Sequence, residues 1–266
     1  MYATHYHRPA TLNDAETVLA QRDDPQILAG GQTLIPTLKQ RLAAPTDLID
    51  LRHIPDLSFI RDKGDRIEIG AMTLHREVAA SSIIRQYLPG LAFLAGKIGD
   101  PLIRNMGTLG GSIANNDPAA DYPAGLLGSG ATVHTNKRTL HADDFFEDLF
   151  ETALQDTEIV TSVSFPKPAF CGYRKFANPI SRYALVGVFL ARFGDARVRI
   201  AVTGAGSNGV FRLTEAEERL AGTFSIKALK DFAPSPDNLM SDLHGQADYR
   251  AHLIKSLTQK LVCAAR

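Results

Sequence analysis

Residues 29–51 read "AGGQTLIPTLKQRLAAPTDLIDL", and how this stretch is parsed decides the architecture of the N-terminal region. Ile27 and Leu28, just ahead of it in "PQILAGG", end an apolar run expected to be a buried strand. Gly30 and Gly31 supply a tight turn with bare backbone N–H groups. Thr33 is placed to cap a helix over "LIPTLKQRLA", and Pro36 is tolerated in its first turn. "TDLIDL" reads as the next strand. Several unpaired N–H groups and the positive end of a helix dipole then face one point, which is an anion site. Taken alone, an ordinary β–α connection has the same pattern.

Upstream, "THYHRP" is a short strand candidate, and "TLNDAETVLAQ" is an amphipathic helix with Thr11 as cap. The order β-α-β-α-β predicts a small parallel sheet with helices packed on it. Downstream, "LSFIRDKGDRIEIGAM" reads as a hairpin turning at residues 62–65. The pattern is helical from Thr73 to about Gly99. A glycine-rich stretch follows, then a helix capped by Asp117-Pro118. "ATVHTNKRTLHADDFF" is a second hairpin leading into a short helix, and "EIVTSVSFP" is a strand. "FPKPAFCG" has the composition of a linker. Beyond it lie strands in "GYRKFAN", "YALVGVFLARF" and "VRIAVTG", with helices over 214–221, 225–232 and 246–264. Strands followed by helices indicate a separate C-terminal α+β domain.

"GAGSNG" at 204–209 spells the dinucleotide fingerprint after a strand. The fingerprint works only if its third glycine lies in the first turn of a helix, with an acid about 20 residues on to take the ribose. Here Val210 to Leu213 separate Gly209 from the next helix, "LTEAEERLAG", for which Thr214 is the expected N-cap and Glu217 its capping-box partner. A glycine-rich turn after a strand is the better reading, and a nucleotide belongs elsewhere.

Lys+Arg and Asp+Glu both number 29, so the formal net charge is zero, which argues against a nucleic-acid surface. Cys171 and Cys263 are the only cysteines, too few for a disulfide framework or for the roughly four thiolates of an iron–sulfur cluster. The N-terminal segment carries no signal pattern and no run approaches a membrane span, so the cytoplasm is the expected compartment. His5 and His7 share one face of a strand, yet no third ligand is identifiable and no metal site is expected. Ser112, His75 and Asp121 form a triad only on paper.

A second constellation lies in "RNMGTLGGSIANNDPAADYPAGLLGSGATV". Gly107, Gly110 and Gly111, interleaved with Thr108 and Ser112, can lay backbone flat against a ligand. Asn115, Asn116 and Asp117 follow, then a helix whose first turn carries Asp121, able to accept from sugar or ribityl hydroxyls or simply to complement the helix dipole.

"AGGQTLIPTLKQRLAAPTDLIDL" and "IRNMGTLGGSIANNDPAAD" together closely resemble the two flavin-binding signatures of the FAD (medium) subunits of molybdenum hydroxylases, the carbon-monoxide-dehydrogenase-like and xanthine-dehydrogenase-like enzymes. "YRKFANPISRYALVGV" and "ADYRAHLIKSLTQKLV" resemble that family's C-terminal domain, so the likeness runs the length of the chain. It implies an α+β fold: a two-subdomain FAD-binding domain of vanillyl-alcohol-oxidase (PCMH) type over 1–168, with subdomains over about 1–52 and 53–168. An antiparallel sheet and helical bundle over 170–266 would follow as a carbon-monoxide-dehydrogenase-flavoprotein-like domain.

The resemblance implies non-covalent FAD. Ala29, Gly30, Gly31, Gln32, Thr33 and Leu34 would wrap the pyrophosphate, and Thr108, Gly110, Gly111 and Ser112 would run along the diphosphate and ribityl chain. Asn115 would lie beside them and Asp121 would take hydroxyls. Ile159 and Val160 would pack on the cofactor, and Lys175 would stand near the flavin ring. Thr73 and Tyr183 correspond less closely; Tyr183 would either cover the ring or be a core tyrosine.

No side chain is expected to be catalytic, because the flavin carries the redox chemistry. The implied activity is that of an oxidoreductase subunit. It would take electrons from 2Fe–2S clusters on a small partner, in a complex whose large partner holds molybdopterin, and pass them to NAD, a quinone, a cytochrome or oxygen. Two rival readings are a stand-alone flavin reductase or oxidase of the same fold and a scaffold that has lost flavin. The intact glycines at 30, 31, 107, 110 and 111 argue against the scaffold.

Overall fold

The computed structural model describes residues 1–265. The chain opens with β1 (His5–His7), α1 (Leu12–Gln21), β2 (Pro25–Leu28), α2 (Leu34–Lys39) and β3 (Asp47–Asp50). The three strands are parallel, as the alternating pattern predicts, and lie in the order β1-β3-β2. The Thr11 hydroxyl caps α1 by accepting from the Asp14 N–H. Three expectations fail here. β2 is buried only at Leu28, because helices cover just part of so small a sheet. The helix expected over 34–43 ends at Lys39, and Arg41 takes a positive φ of 61°. Thr33 sits at the α2 N-cap in helical backbone, and its side chain caps nothing.

After two 3-10 turns come β4 (Ile60–Asp62) and β5 (Arg66–Gly70), the expected hairpin. The helical stretch divides into α3 (His75–Ala80), α4 (Ser82–Tyr87) and α5 (Pro89–Gly96). Then follow α6 (Pro101–Arg104), α7 (Leu109–Asn115) and α8 (Tyr122–Ser129). The glycine-rich stretch is therefore partly helical: Gly110 and Gly111 lie in the first turn of α7, whose N-cap Thr108 accepts from the Gly111 N–H. Asp117 organises a turn by accepting from the Ala119 N–H, and α8 starts five residues beyond it with Asp121 as N-cap.

β6 (Thr132–Thr135) and β7 (Thr139–His141) form the second hairpin, β8 (Phe146–Asp148) and β9 (Glu151–Thr152) a small one, and β10 (Val160–Pro166) joins the larger sheet. That sheet is antiparallel in the order β4-β5-β10-β6-β7. The linker-like "FPKPAFCG" contains only a three-residue break. β11 (Phe170–Ala177) begins at once, with Cys171 buried and Gly172 against Gly90 of α5. β12 (Ala184–Arg192), β13 (Val198–Gly206) and β14 (Gly209–Arg212) complete a four-stranded antiparallel sheet, and α9 (Thr214–Gly222) and α10 (Ala247–Ala264) follow. Only Ile226–Leu229 of the helix expected at 225–232 is wound, as a 3-10 turn.

"GAGSNG" closes the β13–β14 hairpin, with Gly206 paired to Gly209. Thr214 is the first residue of α9 rather than its cap. The Glu217 carboxylate, which the capping box would have taken, accepts from the Ile200 N–H and from Arg212.

β12 is buried at eight of its nine positions because both faces of its sheet are covered. α8, buried at every residue, packs on β12 and β13 from one side, and α10 packs on β11 and β12 from the other. The apolar stripe of α10 is thus a core face. The other face joins Tyr173, Phe189, Ala191 and Ala201 to Leu91, Leu94, Leu126 and Val163 in one continuous core. The C-terminal sheet shares its core with the region before it. No helix among the described residues is long and apolar enough to cross a membrane.

Candidate functional site

A cleft of about 800 Å³ runs between the small parallel sheet, the large antiparallel sheet and the β11–β12 turn. That volume suits a dinucleotide-sized ligand. Of the residues expected at the site, Ala29 to Leu34, Thr108, Gly110, Gly111, Ser112, Asn115, Asp121, Ile159, Val160, Lys175 and Tyr183 all line it. Thr73 does not. Its buried hydroxyl bonds both the N–H and the carbonyl of Phe59, fastening the β5–α3 connection to the segment before β4.

The two glycine loops make different contributions. At the first, the N–H groups of Gly31, Gln32 and Thr33 donate to no backbone carbonyl or side chain among the described residues. They are free to meet an anion. At the second, the four successive N–H groups of residues 109–112 are spent within the chain: Leu109 N–H to Thr73 O, Gly110 N–H to Ala71 O, Gly111 N–H to Thr108 Oγ1 and Ser112 N–H to Thr108 O. That loop offers a flat wall with few side chains.

The glycines also have work inside the fold. A Cβ on Gly30 would strike Met106 O and come within 2.7 Å of Gly107 Cα. On Gly107 it would lie 2.5 Å from His75 Nε2, and on Gly110 2.6 Å from Ala71 Cβ. These three glycines let the chain pack on itself, so their presence does not by itself report a ligand. Gly111 differs: a Cβ there meets only the Thr108 hydroxyl and the Ala29 methyl, at 2.9 and 3.2 Å.

Asp121 is buried, and both its oxygens are engaged. Tyr173 donates to Oδ1 at 2.5 Å and Lys175 to Oδ2 at 2.8 Å. Burial pushes the carboxyl up, against the opposing pull of Lys175 and Tyr173. Tyr183 is half exposed at the cleft and so is not a core tyrosine; burial and the nearby carboxylates of Asp117 and Asp121 push its phenol up. It is carried on a turn in which Asn178 Oδ1 accepts from the N–H groups of Ile180 and Ser181.

His75 also lines the cleft. It is buried, its Nδ1 has no partner among the described residues, and burial holds its pKa down at about 4. No hydrogen bond joins His75, Ser112 and Asp121, so the paper triad does not form. His7 pairs with Asp47 at 2.6 Å. Sequence reasoning missed Phe150, Thr157 and Arg182, which line the cleft with positive φ of 58°, 63° and 62°. Nothing local marks them. Such backbone is retained where surrounding packing imposes it, often at ligand sites.

The pattern of the FAD-binding domain in molybdopterin dehydrogenases matches residues 2–168. The nicotine 6-hydroxylase medium subunit of Paenarthrobacter nicotinovorans is 35% identical, over 99% of this chain and 97% of its own length. The carbon monoxide dehydrogenase medium chain of Hydrogenophaga pseudoflava is 33% identical over 98% and 96%. Among solved structures, the reconstituted CO dehydrogenase from Oligotropha carboxidovorans superposes with a TM-score of 0.89 at 33% identity, covering 99% of this chain and 97% of that one. Quinoline 2-oxidoreductase from Pseudomonas putida 86 superposes at 0.88 and 30% identity, over 99% and 96%.

Proposed function

Because this chain belongs to the family of FAD-binding domains of molybdopterin dehydrogenases, we propose that it is the FAD-binding, electron-transferring medium subunit of a heteromeric molybdenum hydroxylase. The observation that carries this reading is the cleft, where a loop of unspent N–H groups faces a wall of glycine backbone and a buried Lys–Asp pair. The donor set suits FAD: free amides for the diphosphate, hydroxyl and amide side chains for the ribityl and ribose groups, and one fixed ammonium. Bound FAD supplies a carrier that takes electrons from an iron–sulfur donor and releases them to an external acceptor.

On this reading the chain binds, orients and shields. Gly31, Gln32 and Thr33 meet phosphate oxygens, with Ala29, Gly30 and Leu34 framing that turn. Thr108, Gly110, Gly111, Ser112 and Asn115 wall the middle of the cleft, and Asp121 keeps free lone pairs for hydroxyls. Ile159 and Val160 give apolar packing, and Lys175 and Tyr183 stand at the C-terminal wall. The chain divides into the FAD-binding part, 1–168, and a C-terminal part, 170–266.

Partner chains hold the other redox groups. Cys171 is buried with its thiol pushed up to about 11, and Cys263 lies exposed on α10, so neither supplies a cluster ligand set. The partners are a large molybdopterin subunit and a small 2Fe–2S subunit, and the compartment is the cytoplasm, which free cysteines suit. A stand-alone enzyme is not favoured, since the relatives are named as subunits or chains of larger assemblies.

The test is the visible spectrum of the purified chain after incubation with FAD and gel filtration. We expect retained flavin in the wild type, and at least tenfold weaker binding in Ser112→Leu with an unchanged melting temperature, because three added carbons enter the cleft beside α7 (roughly 1.4 kcal/mol per tenfold). A folded chain that takes up no FAD, alone or co-expressed with its partners, would sink the reading.

A further inference from the structure

Tyr173 and Lys175 lie two apart on β11, so both side chains face the same side of the sheet, toward Asp121 at the start of α8. The tyrosine hydroxyl is buried and donates to Asp121 Oδ1 at 2.5 Å, while the Lys175 ammonium donates to Oδ2 at 2.8 Å. The ammonium also donates to Lys97 O at 3.3 Å, at the C-terminal end of α5, where the helix dipole favours a cation. Three donors belong to an ammonium, so one remains for the cleft that Lys175 lines.

The space for the hydroxyl is built in. β11 pairs with β12, and a Cβ on Gly187 of β12 would fall on the Tyr173 oxygen. A phenylalanine would fill the same core, so packing alone does not explain a phenol at this position.

We propose that Tyr173 is a positioning residue whose hydroxyl locks the Asp121 carboxylate, which in turn holds the Lys175 ammonium aimed into the cleft and sets the charge presented to flavin there. The proposal rests on the flavin reading above. Four ionisable groups face Asp121: Tyr173 and Lys175 directly, and Tyr122 and Tyr183 at longer range, whose phenols are pushed up mainly by burial, with the Asp121 charge adding at both and the Asp117 charge at Tyr183. With the hydroxyl present, the Lys–Asp pair is neutral overall. Without it, the carboxylate loses a donor and takes up a proton at higher pH, leaving Lys175 unopposed. A net positive site favours the more negatively charged, reduced flavin.

Two measurements on the full chain test this. In the flavin-free protein, the Asp121 carboxyl carbon is followed by NMR against pH. Tyr173→Phe is expected to move its titration up by about one pH unit or more, and site-specific 3-fluorotyrosine, a stronger donor of the same shape, to move it down. In the FAD-loaded protein, the flavin midpoint potential is expected to be higher in Tyr173→Phe than in wild type, with the gap widening as pH falls. Asp121→Asn is expected to abolish that gap, and adding Tyr173→Phe to it to change nothing further. An Asp121 titration unmoved by either replacement, or a variant altered only in melting temperature, would overturn the proposal. A moved titration in a wild-type chain that takes up no FAD would instead overturn the flavin reading, and with it the link to flavin.

Discussion

Single residues at the cleft answer first to the chain's own packing. Gly30, Gly107 and Gly110 are glycines because Met106, His75 and Ala71 occupy the place a Cβ would need. Gly30→Val therefore measures folding and says little about a ligand, whereas Ser112 reports on the cleft itself. His75 carries a cost in the same neighbourhood. Its pKa falls from 6.5 to about 4 because burial disfavours the imidazolium and the Arg104 charge adds to that. Between those values the unfolded chain binds the proton and the folded chain does not, so stability is full above pH 6.5 and declines as pH falls toward 4. The expected loss is about 3 kcal/mol. Urea unfolding across that range is expected to show the slope, and His75→Leu to remove it.

At the scale of elements, the cleft is shaped by connections more than by regular structure. α7 is capped at its C-terminal end by Asn116, in left-handed backbone (φ 42°), whose side-chain amide donates to the carbonyls of Asp148 and Glu151 at 2.8 Å each. The Asn116 carbonyl accepts from the Phe150 N–H. One residue thus ties the end of the glycine-rich segment to the β8–β9 hairpin, whose tip Phe150 reaches the cleft. Asn116→Ala removes two hydrogen bonds and leaves alanine in a conformation it disfavours, at about 2–3 kcal/mol. Hydrogen exchange is expected to speed up over 146–152 and leave β12 unchanged; uniform acceleration would mean that the hairpin is not the local unit described here.

The parallel sheet and the first hairpins were legible because period and turn residues are local signals: Thr11 as a cap, Gly64 in a turn, alternation in "RIEIG". The α7 helix was hidden behind its glycines, since its cap is completed by docking on Ala71 and Thr73. β14 was hidden because only pairing with β13 makes "GVFR" a strand.

At the scale of the whole molecule, the C-terminal sheet is a wall of both the core and the cleft. Thr203 Oγ1 approaches Pro118 O and Ala120 O at 3.1 and 2.6 Å, Gly204 N–H donates to Pro118 O, and Ala184 N–H to Ala119 O. Gly204 in turn presents its carbonyl to the buried Arg250 of α10. The segment leading to Asp121 is therefore held from the far side of the sheet. A fragment ending at residue 168 would bare Leu91, Leu94 and Leu126, which pack against Tyr173, Phe189 and Ala201. We expect that fragment to aggregate or lack a cooperative thermal transition, and the full chain to unfold in one step.

Sequence alone determined the β-α-β-α-β order of the first 50 residues and that "GAGSNG" is a turn after a strand, while the pairing of the two glycine loops as a cofactor signature came from resemblance to a known family. The first two follow from rules that act over a few residues: turn geometry, helix-start signals, and alternation of apolar positions. Only the tertiary structure decided which donors are already spent, that Thr73 lies outside the cleft while Phe150 and Arg182 line it, and that Asp121 is shared by Tyr173 and Lys175, more than 50 residues away. A hydrogen bond between distant segments leaves no periodicity in either of them, so it becomes visible only once packing has brought them together.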